Sequence, residues 1–188
     1  MKKLIAGLSM AIFALGSAEA GELDVYLSSQ SVQAGYSMDT GKIGYGGGNL
    51  IFGGYYDTDH DWQANAGLMV LGTPTANQPF TYGLGVMGYF SFIDEPNDDV
   101  QAITLGGLIK YHIPAKMPMA VSAQLFFAPE ITTFGDGKNF GDFQANYEVS
   151  FLPSATGYVG YRLTRTDLNN YGNYDIEDSF HVGVRLMF

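Results

Sequence analysis

The stretch that decides the fold is "SFHVGVRLMF", residues 179–188, because its alternate residues differ completely in character. One set is apolar throughout, and the other carries His181 and Arg185. A period of two residues is the signature of a β-strand. Hydrocarbon requires every backbone N–H and C=O group to be paired within the protein, so only a closed sheet can span a membrane. We therefore predict that the apolar face meets lipid and that the polar face lines the lumen of a barrel.

The same alternation recurs along the chain and predicts an all-β protein, an eight-stranded antiparallel transmembrane β-barrel with both termini periplasmic. Residues 22–37 are also extended in character, and the sequence leaves open whether they form a leading strand or a periplasmic segment. The eight predicted strands are 42–56, 62–71, 80–92, 101–113, 119–130, 143–151, 157–166 and 179–188.

Connections between these strands alternate between short ones, such as "LPSAT", and longer acidic ones, such as "DLNNYGNYDIED". This arrangement is typical of bacterial outer-membrane barrels. A soluble periplasmic sandwich or lipocalin-like barrel would show the same alternation with its apolar face inward. Glycines on the polar faces favour the membrane barrel, because a narrow lumen needs room for opposing side chains; they are Gly67, Gly83, Gly85, Gly106, Gly160 and Gly183.

The N-terminal stretch "MKKLIAGLSMAIFALGSAEA" predicts a secretory signal peptide. Lys2 and Lys3 form the charged region, a short apolar run follows, and Ala18-Glu19-Ala20 is a cleavage site of the A-x-A type. The apolar run is too short for a membrane-spanning helix. We expect cleavage of residues 1–20, which leaves residues 21–188 as one barrel domain.

Composition excludes several classes of function. The chain has no cysteine, which excludes thiol catalysis and cysteine-based metal sites, and its formal charge of −10 argues against nucleic-acid binding. Mean hydropathy is near zero at +0.02, because apolar residues are interleaved with polar ones.

Four stretches resemble the YfaZ family of small outer-membrane proteins: "LDVYLSSQSVQAGY", "FFAPEITTFGDGKNF", "LPSATGYVGYRLTRTDL" and "FHVGVRLMF". The likeness covers nearly all of residues 22–188. It implies an outer-membrane location and a barrel fold, and it brings no catalytic residues to map. The last strand, which ends at Phe188, also resembles the C-terminal signal that such barrels present to their assembly machinery.

Four charged residues are predicted to point into the lumen, namely Lys110, Glu148, Arg162 and Arg185. A hairpin of strands 143–151 and 157–166 would place Glu148 opposite Gly160 and diagonal to Arg162. We interpret these residues as a structural ion-pair cluster that fills a narrow barrel. The alternative is a selectivity ring in a pore for small solutes.

Other polar groups offer a third hypothesis, an enzyme at the barrel rim that acts on lipid or peptide. Asp57, Asp59 and Asp61 alternate in "YDTDHDW", but the stretch lacks the glycine and closing glutamate of a calcium loop. Asp57 and Asp59, with His60, Asp178 and His181, are similar to the carboxylate and Asp–His groups at the mouth of omptin proteases. Ser179 and His181 share one lumen face and could touch, but no third group is evident.

We therefore expect a non-enzymatic outer-membrane protein that is structural or interacts through acidic extracellular loops. No catalytic, cofactor-binding or metal-binding residue is predicted. The expected partners are outer-membrane lipid, lipopolysaccharide and the barrel assembly machinery, which would bind the strand that ends at Phe188. We expect a monomer that binds no nucleic acid.

Overall fold

The computed structural model of the protein describes residues 21–43, 46–72, 79–95, 97–169 and 171–188. The predicted signal peptide, residues 1–20, lies outside this part of the chain. No helix among the described residues is long and apolar enough to cross a membrane. The described residues form eleven strands and one short 3₁₀ turn, Glu130–Thr132. The strands are β1 (Gly21–Ser28), β2 (Ser31–Ile43), β3 (Gly46–Asp57), β4 (Trp62–Leu71), β5 (Phe80–Ile93), β6 (Asp98–Ile113), β7 (Met119–Ala128), β8 (Thr133–Gly135), β9 (Gly137–Leu152), β10 (Ala155–Leu168) and β11 (Gly172–Met187).

Ten of these strands close into an antiparallel ring, in the order β5-β4-β3-β2-β1-β11-β10-β9-β7-β6, with β6 returning to β5. The three-residue strand β8 lies outside the ring and pairs with the beginning of β6. Directly paired residues can be followed from strand to strand around the ring, starting at Asp99 on β6. The path comes back to β6 at Tyr111, twelve residues further along the chain. Such a stagger requires strands that are tilted strongly from the barrel axis, typically by about 35–45°.

The prediction of eight strands is wrong. Residues 21–43 form a hairpin, β1 and β2, that completes the ring between β11 and β3. The segment 22–37, which the sequence left open, therefore belongs to the wall, and the predicted strand 42–56 is divided between the end of β2 and β3. The other predicted strands are present, several of them longer than predicted.

The outer surface of the barrel carries the apolar residues. Phe180 is 79% exposed, Leu84 74% and Leu105 71%, whereas the inward neighbours His181 and Thr104 are buried. A soluble barrel would expose the opposite set of side chains. The predicted parity of the strands is therefore correct, and the soluble alternative fails.

Glycines make room inside the barrel, as the sequence predicted. At all six positions named above, a Cβ atom would approach a neighbouring atom more closely than 3.0 Å. At Gly183 the obstacle is the ring of Tyr158, and at Gly106 it is the backbone of Leu125 and the ring of Phe126. Large inward side chains thus lie over glycines of adjacent strands, which allows the lumen to be densely packed.

The two ends of the barrel differ in charge. The terminal end holds Gly21 and Phe188, whose backbone N–H groups each donate to the other residue's carbonyl, at 2.9 and 3.0 Å. Its half of the barrel is balanced, with Glu22, Asp24, Asp39 and Glu148 against Lys42, Lys110, Lys116 and Arg185. The opposite half, which we call the distal half, contains every other acidic residue after position 20 and only the basic residues Lys138, Arg162 and Arg165.

The long distal loops that the sequence predicted are mostly strand. β9 begins at Gly137 and β11 at Gly172, so residues 137–142 and 172–178, which lie outside the predicted strands 143–151 and 179–188, extend the wall instead. Only residues 169–171 connect β10 to β11. Acids of the distal half such as Asp167, Asp175 and Asp178 therefore lie on strands at this rim of the barrel.

Candidate functional site

Arg162 on β10 is the centre of a buried polar cluster inside the barrel. Its Nε atom donates to Asp142 Oδ1 at 2.9 Å and its Nη2 atom to Asp142 Oδ2 at 3.1 Å, which is a bidentate pair. Glu177 on β11 lies 3.6 Å from Nη1, and all three side chains are at most 3% exposed. A guanidinium held by two carboxylates satisfies its charge without water.

The cluster reaches across the lumen. Arg162 Nη2 donates to Gln63 Oε1 on β4 at 3.3 Å, and β4 and β10 are five strands apart in a ring of ten. Nη1 donates to Tyr26 on β1 and Gln33 on β2. Tyr89 on β5 donates to Asp142 at 2.7 Å. Side chains from opposite walls therefore meet at this level.

An apolar layer lies on the distal side of Arg162. Phe140, two residues beyond Asp142 on β9, packs against Tyr89 with ring centroids 4.6 Å apart. Side chains that are essentially inaccessible to solvent continue this layer, namely Val100, Phe126, Ala128 and Leu168. The distal half of the barrel is thus filled by an apolar core of the kind found in soluble domains.

A second charged cluster lies toward the terminal end, around Glu148 on β9. Lys110 Nζ is 2.6 Å from Glu148 Oε2, Arg185 Nη1 is 3.1 Å from the same atom, and Ser122 donates to Oε1 at 2.8 Å. Arg185 Nε also lies 3.1 Å from Asp24 Oδ2. The side chains of Lys110 and Arg185 are 24% and 19% exposed, so this cluster is partly accessible to solvent.

The structure brings Lys110, Glu148 and Arg185 together and places Arg162 in the other cluster. The predicted pairing of Glu148 with Gly160 is wrong by two residues, because Glu148 pairs with Tyr158 and Gly160 with Asn146. A two-residue turn at 153–154 and a register shift at Ala155/Thr156 produce the difference. The observed partners of Arg162 are Asp142 and Glu177, which lie just outside the predicted strands 143–151 and 179–188.

His181 occupies the space between the two clusters. Its ring stacks on Tyr26 with centroids 4.3 Å apart, and Nε2 lies 3.0 Å from Asn146 Oδ1. Ser179 donates to Glu177 rather than to His181. Asp178 is on the outer face, where it accepts a hydrogen bond from Tyr161. Ser179 and His181 thus lie on the inner face of β11 and Asp178 on its outer face. The groups that the rim-enzyme hypothesis would combine are therefore separated by the barrel wall.

The alternating acids of residues 57–61 stabilise their own turn. Asp57 Oδ1 accepts the backbone N–H groups of Asp59 and Asp61, and Asp61 accepts from the backbone of Asp94 and from Tyr174. Burial raises the pKa of the Asp61 carboxyl above its usual value. In the described part of the chain, no group of three or more His, Asp or Glu residues could hold a metal ion.

Comparison with known proteins identifies a family. The family model described as "YfaZ precursor" matches residues 1–188, and the word precursor agrees with a signal peptide. No curated protein matches.

Two solved structures are similar. One is described as a bacterial polysaccharide outer membrane secretin (9% identity, TM-score 0.45, 84% of this chain and 55% of that chain). The other is the outer membrane channel DcaP of Acinetobacter baumannii (12%, 0.39, 88% and 54%). The chain thus spans little more than half the length of each. On the whole-chain match, this protein belongs to the YfaZ family of small outer-membrane proteins and is a β-barrel of the bacterial outer membrane.

Proposed function

We propose that this protein is a non-enzymatic outer-membrane barrel whose lumen is closed by its own side chains. In this proposal it acts as a structural element or through the acidic rim of its distal half. The observation that carries the proposal is the contact of Arg162 with side chains of both neighbouring and opposite strands. A path for solutes would have to break a bidentate, buried ion pair at this level.

The apolar layer around Phe126 and Phe140 supports the same proposal. It stands beyond the Arg162 cluster on the distal side, so a solute would have to cross two successive barriers of different chemistry. Water and ions are excluded from a densely packed apolar layer.

We propose that both termini face the periplasm and that the distal rim faces the outside. The apolar outer wall would then be surrounded by outer-membrane lipid and lipopolysaccharide. The last strand, with its exposed Phe180, Val182 and Val184, would be recognised by the barrel assembly machinery. Labelling of intact cells at a cysteine introduced at Tyr171, compared with one at Met117, tests the orientation, because both positions are exposed at opposite ends.

Conductance in planar bilayers tests the closed lumen. We expect no discrete conductance steps from the purified protein at any voltage that an open porin tolerates. Steps whose ion selectivity changes in Lys110→Gln would contradict the proposal and favour the narrow pore, because Lys110 is a partly accessible charge of the lumen. Turnover of lipid A or peptide that is lost in His181→Ala would instead establish the rim enzyme.

A further inference from the structure

Strand β11 is much longer than the neighbour that closes the ring. β1 pairs with β11 only from Glu22 opposite Met187 to Ser28 opposite His181. The remainder of β11, residues 172–180, pairs with β10 on one side, and no described strand pairs with it on the other. We call this segment the β11 edge.

The β11 edge stands where the apolar wall ends. Phe180 on the outer face is 79% exposed, and the next outward residues along the strand are Asp178 and Asp175. Charged side chains on the outer face mark the part of a barrel that leaves the hydrocarbon. The backbone N–H and C=O groups on this side of β11 therefore lie beyond the hydrocarbon and have no strand partner in the described part of the chain, although the carbonyl of Ile176 accepts a hydrogen bond from the side chain of Tyr55.

Contacts on the inner side hold the β11 edge in place. Tyr174 donates to Asp61 at 2.8 Å, and Tyr55 donates to the carbonyl of Ile176 at 3.0 Å. Both partners belong to the β3–β4 hairpin, whose turn lies at the same rim. A preformed edge binds at a lower entropic cost than a segment that must first become ordered.

An exposed strand edge of this kind can accept an added strand, because main-chain hydrogen bonds supply the affinity. The surrounding charge decides which strand it accepts. Asp178 and Asp175 are exposed on the edge, and Asp59 is exposed on the adjoining turn. Arg165, the basic residue beside them, is already paired with Asp175. A basic segment complements this charge.

A second copy of the chain would bring the same acids together. Like charges across a strand pair are destabilising. This repulsion disfavours self-association, whereas a basic segment meets no such repulsion.

We propose that the β11 edge binds an extended basic peptide segment of another molecule, which adds as a strand beside residues 172–180 outside the membrane. This inference rests on the proposed role of the acidic rim and names the partner class of that rim. Alternating lysines of the bound segment would face the carboxylates of Asp178 and Asp59.

Fluorescence anisotropy tests this proposal with the full-length mature protein in lipid nanodiscs at low salt. The probe is a labelled peptide of alternating lysine and valine, and its control is the same peptide N-methylated at every second residue. N-methylation preserves the charge but removes the donors that strand pairing needs, so we expect it to weaken binding at least tenfold. The double variant Asp59→Asn/Asp178→Asn should bind several-fold more weakly, because each exposed ion pair contributes modestly.

Asp99→Asn is the matched control, since Asp99 is an exposed acid on β6, four strands away from β11 in the ring. Its affinity for the peptide should equal that of the unmodified protein. Equal affinity for the methylated peptide, an equal loss in Asp99→Asn, or no binding would overturn the proposal. A dimer in native mass spectrometry that Asp178→Asn strengthens would show that the edge serves a second copy instead. None of these results bears on the closed lumen, which conductance tests separately.

Discussion

Arg162 and Gln63 join opposite walls of the barrel through a hydrogen bond of 3.3 Å between Nη2 and Oε1. The contact depends on the guanidinium being held by Asp142 and Glu177. Removing one partner of a buried ion pair leaves an uncompensated charge, at a typical cost of about 3–5 kcal/mol. We expect Arg162→Met to lower the free energy of unfolding by this order, measured in urea with the protein in liposomes.

The same substitution at Arg165 is the control, because it lies three residues away on the same strand in an exposed pair with Asp175. Exposed pairs contribute little. Arg165→Met should therefore leave the urea midpoint nearly unchanged. Equal losses in the two variants would mean that the Arg162 cluster is hydrated.

The cluster around Glu148 should respond independently of Arg162. Glu148→Gln leaves Lys110 and Arg185 without their shared acceptor, but both are partly exposed and water can solvate them, so we expect a smaller loss than in Arg162→Met. Lys110→Met should partly restore the stability of Glu148→Gln, because one unpaired charge is removed. Arg162→Met should add its own loss in full, since the two residues share no contact. Urea unfolding of both double variants decides this, and rescue by Arg162→Met would contradict the separation of the clusters.

Glycine positions in the lumen should tolerate no side chain. A Cβ at Gly106 would strike the backbone of Leu125, which cannot move aside as a flexible side chain could. We expect Gly106→Ala to destabilise the barrel by about 1–3 kcal/mol through overpacking. Gly54 has open space where its Cβ would lie, so Gly54→Ala should be neutral or slightly stabilising. Thermal gel-shift midpoints compare the two, and a similar drop in both would refute the packing argument.

A charge on the apolar outer face should impair folding into lipid. Val184 is 43% exposed among the outward residues of the last strand. Arginine near the bilayer midplane of a barrel costs about 2–4 kcal/mol, falling to about 0–1 near the interfaces. Val184→Arg should therefore fold in lower yield into liposomes than Tyr171→Arg, which makes the same change at the exposed distal turn. The reverse ranking would place the apolar face away from lipid.

The turn at residues 57–61 should make stability depend on pH. Burial raises the pKa of the Asp61 carboxyl in the folded state, whereas hydrogen bonds from Asp94 and Tyr174 oppose this only in part. A raised folded pKa favours the protonated form, so this group's stabilising contribution is present at acidic pH and is lost as pH rises through the raised pKa. Asp61→Asn cannot titrate, and its urea midpoint should fall less between acidic and neutral pH than that of the unmodified protein. Parallel pH profiles would contradict the burial of this carboxyl.

The strand parity and the membrane-facing surface could be predicted from the sequence, because lipid on one side and a lumen on the other impose an alternation that a single strand displays. The hairpin β1–β2 was missed although Leu23, Val25 and Leu27 alternate with inward residues. Its turn at Ser29-Gln30 contains neither glycine nor proline, and the serine hydroxyl that stabilises it, that of Ser28, is a weaker turn signal.

Asp142 and Glu177 could not be assigned to strands for a different reason. Beyond the hydrocarbon, outward positions such as Arg165 and Asp175 are polar, and the alternation that identifies a strand disappears there. Glycines and asparagines in these segments resembled loop residues. Strand pairing then fixes the register, and a two-residue turn together with a bulge is enough to move a predicted contact by two positions.

The mutual backbone hydrogen bonds of Gly21 and Phe188 have a kinetic consequence. The seam between β1 and β11 joins residues that are about as far apart in sequence as the described chain allows. The chain loses conformational entropy when it closes so large a loop, and it does so before the contacts between β1 and β11 can stabilise the fold. This order of events slows folding. Before that step, β1 and β11 both present unpaired edges, and the chain is open to aggregation. We therefore expect the seam between β1 and β11 to form late in folding, and shielding of either strand until that step should reduce aggregation.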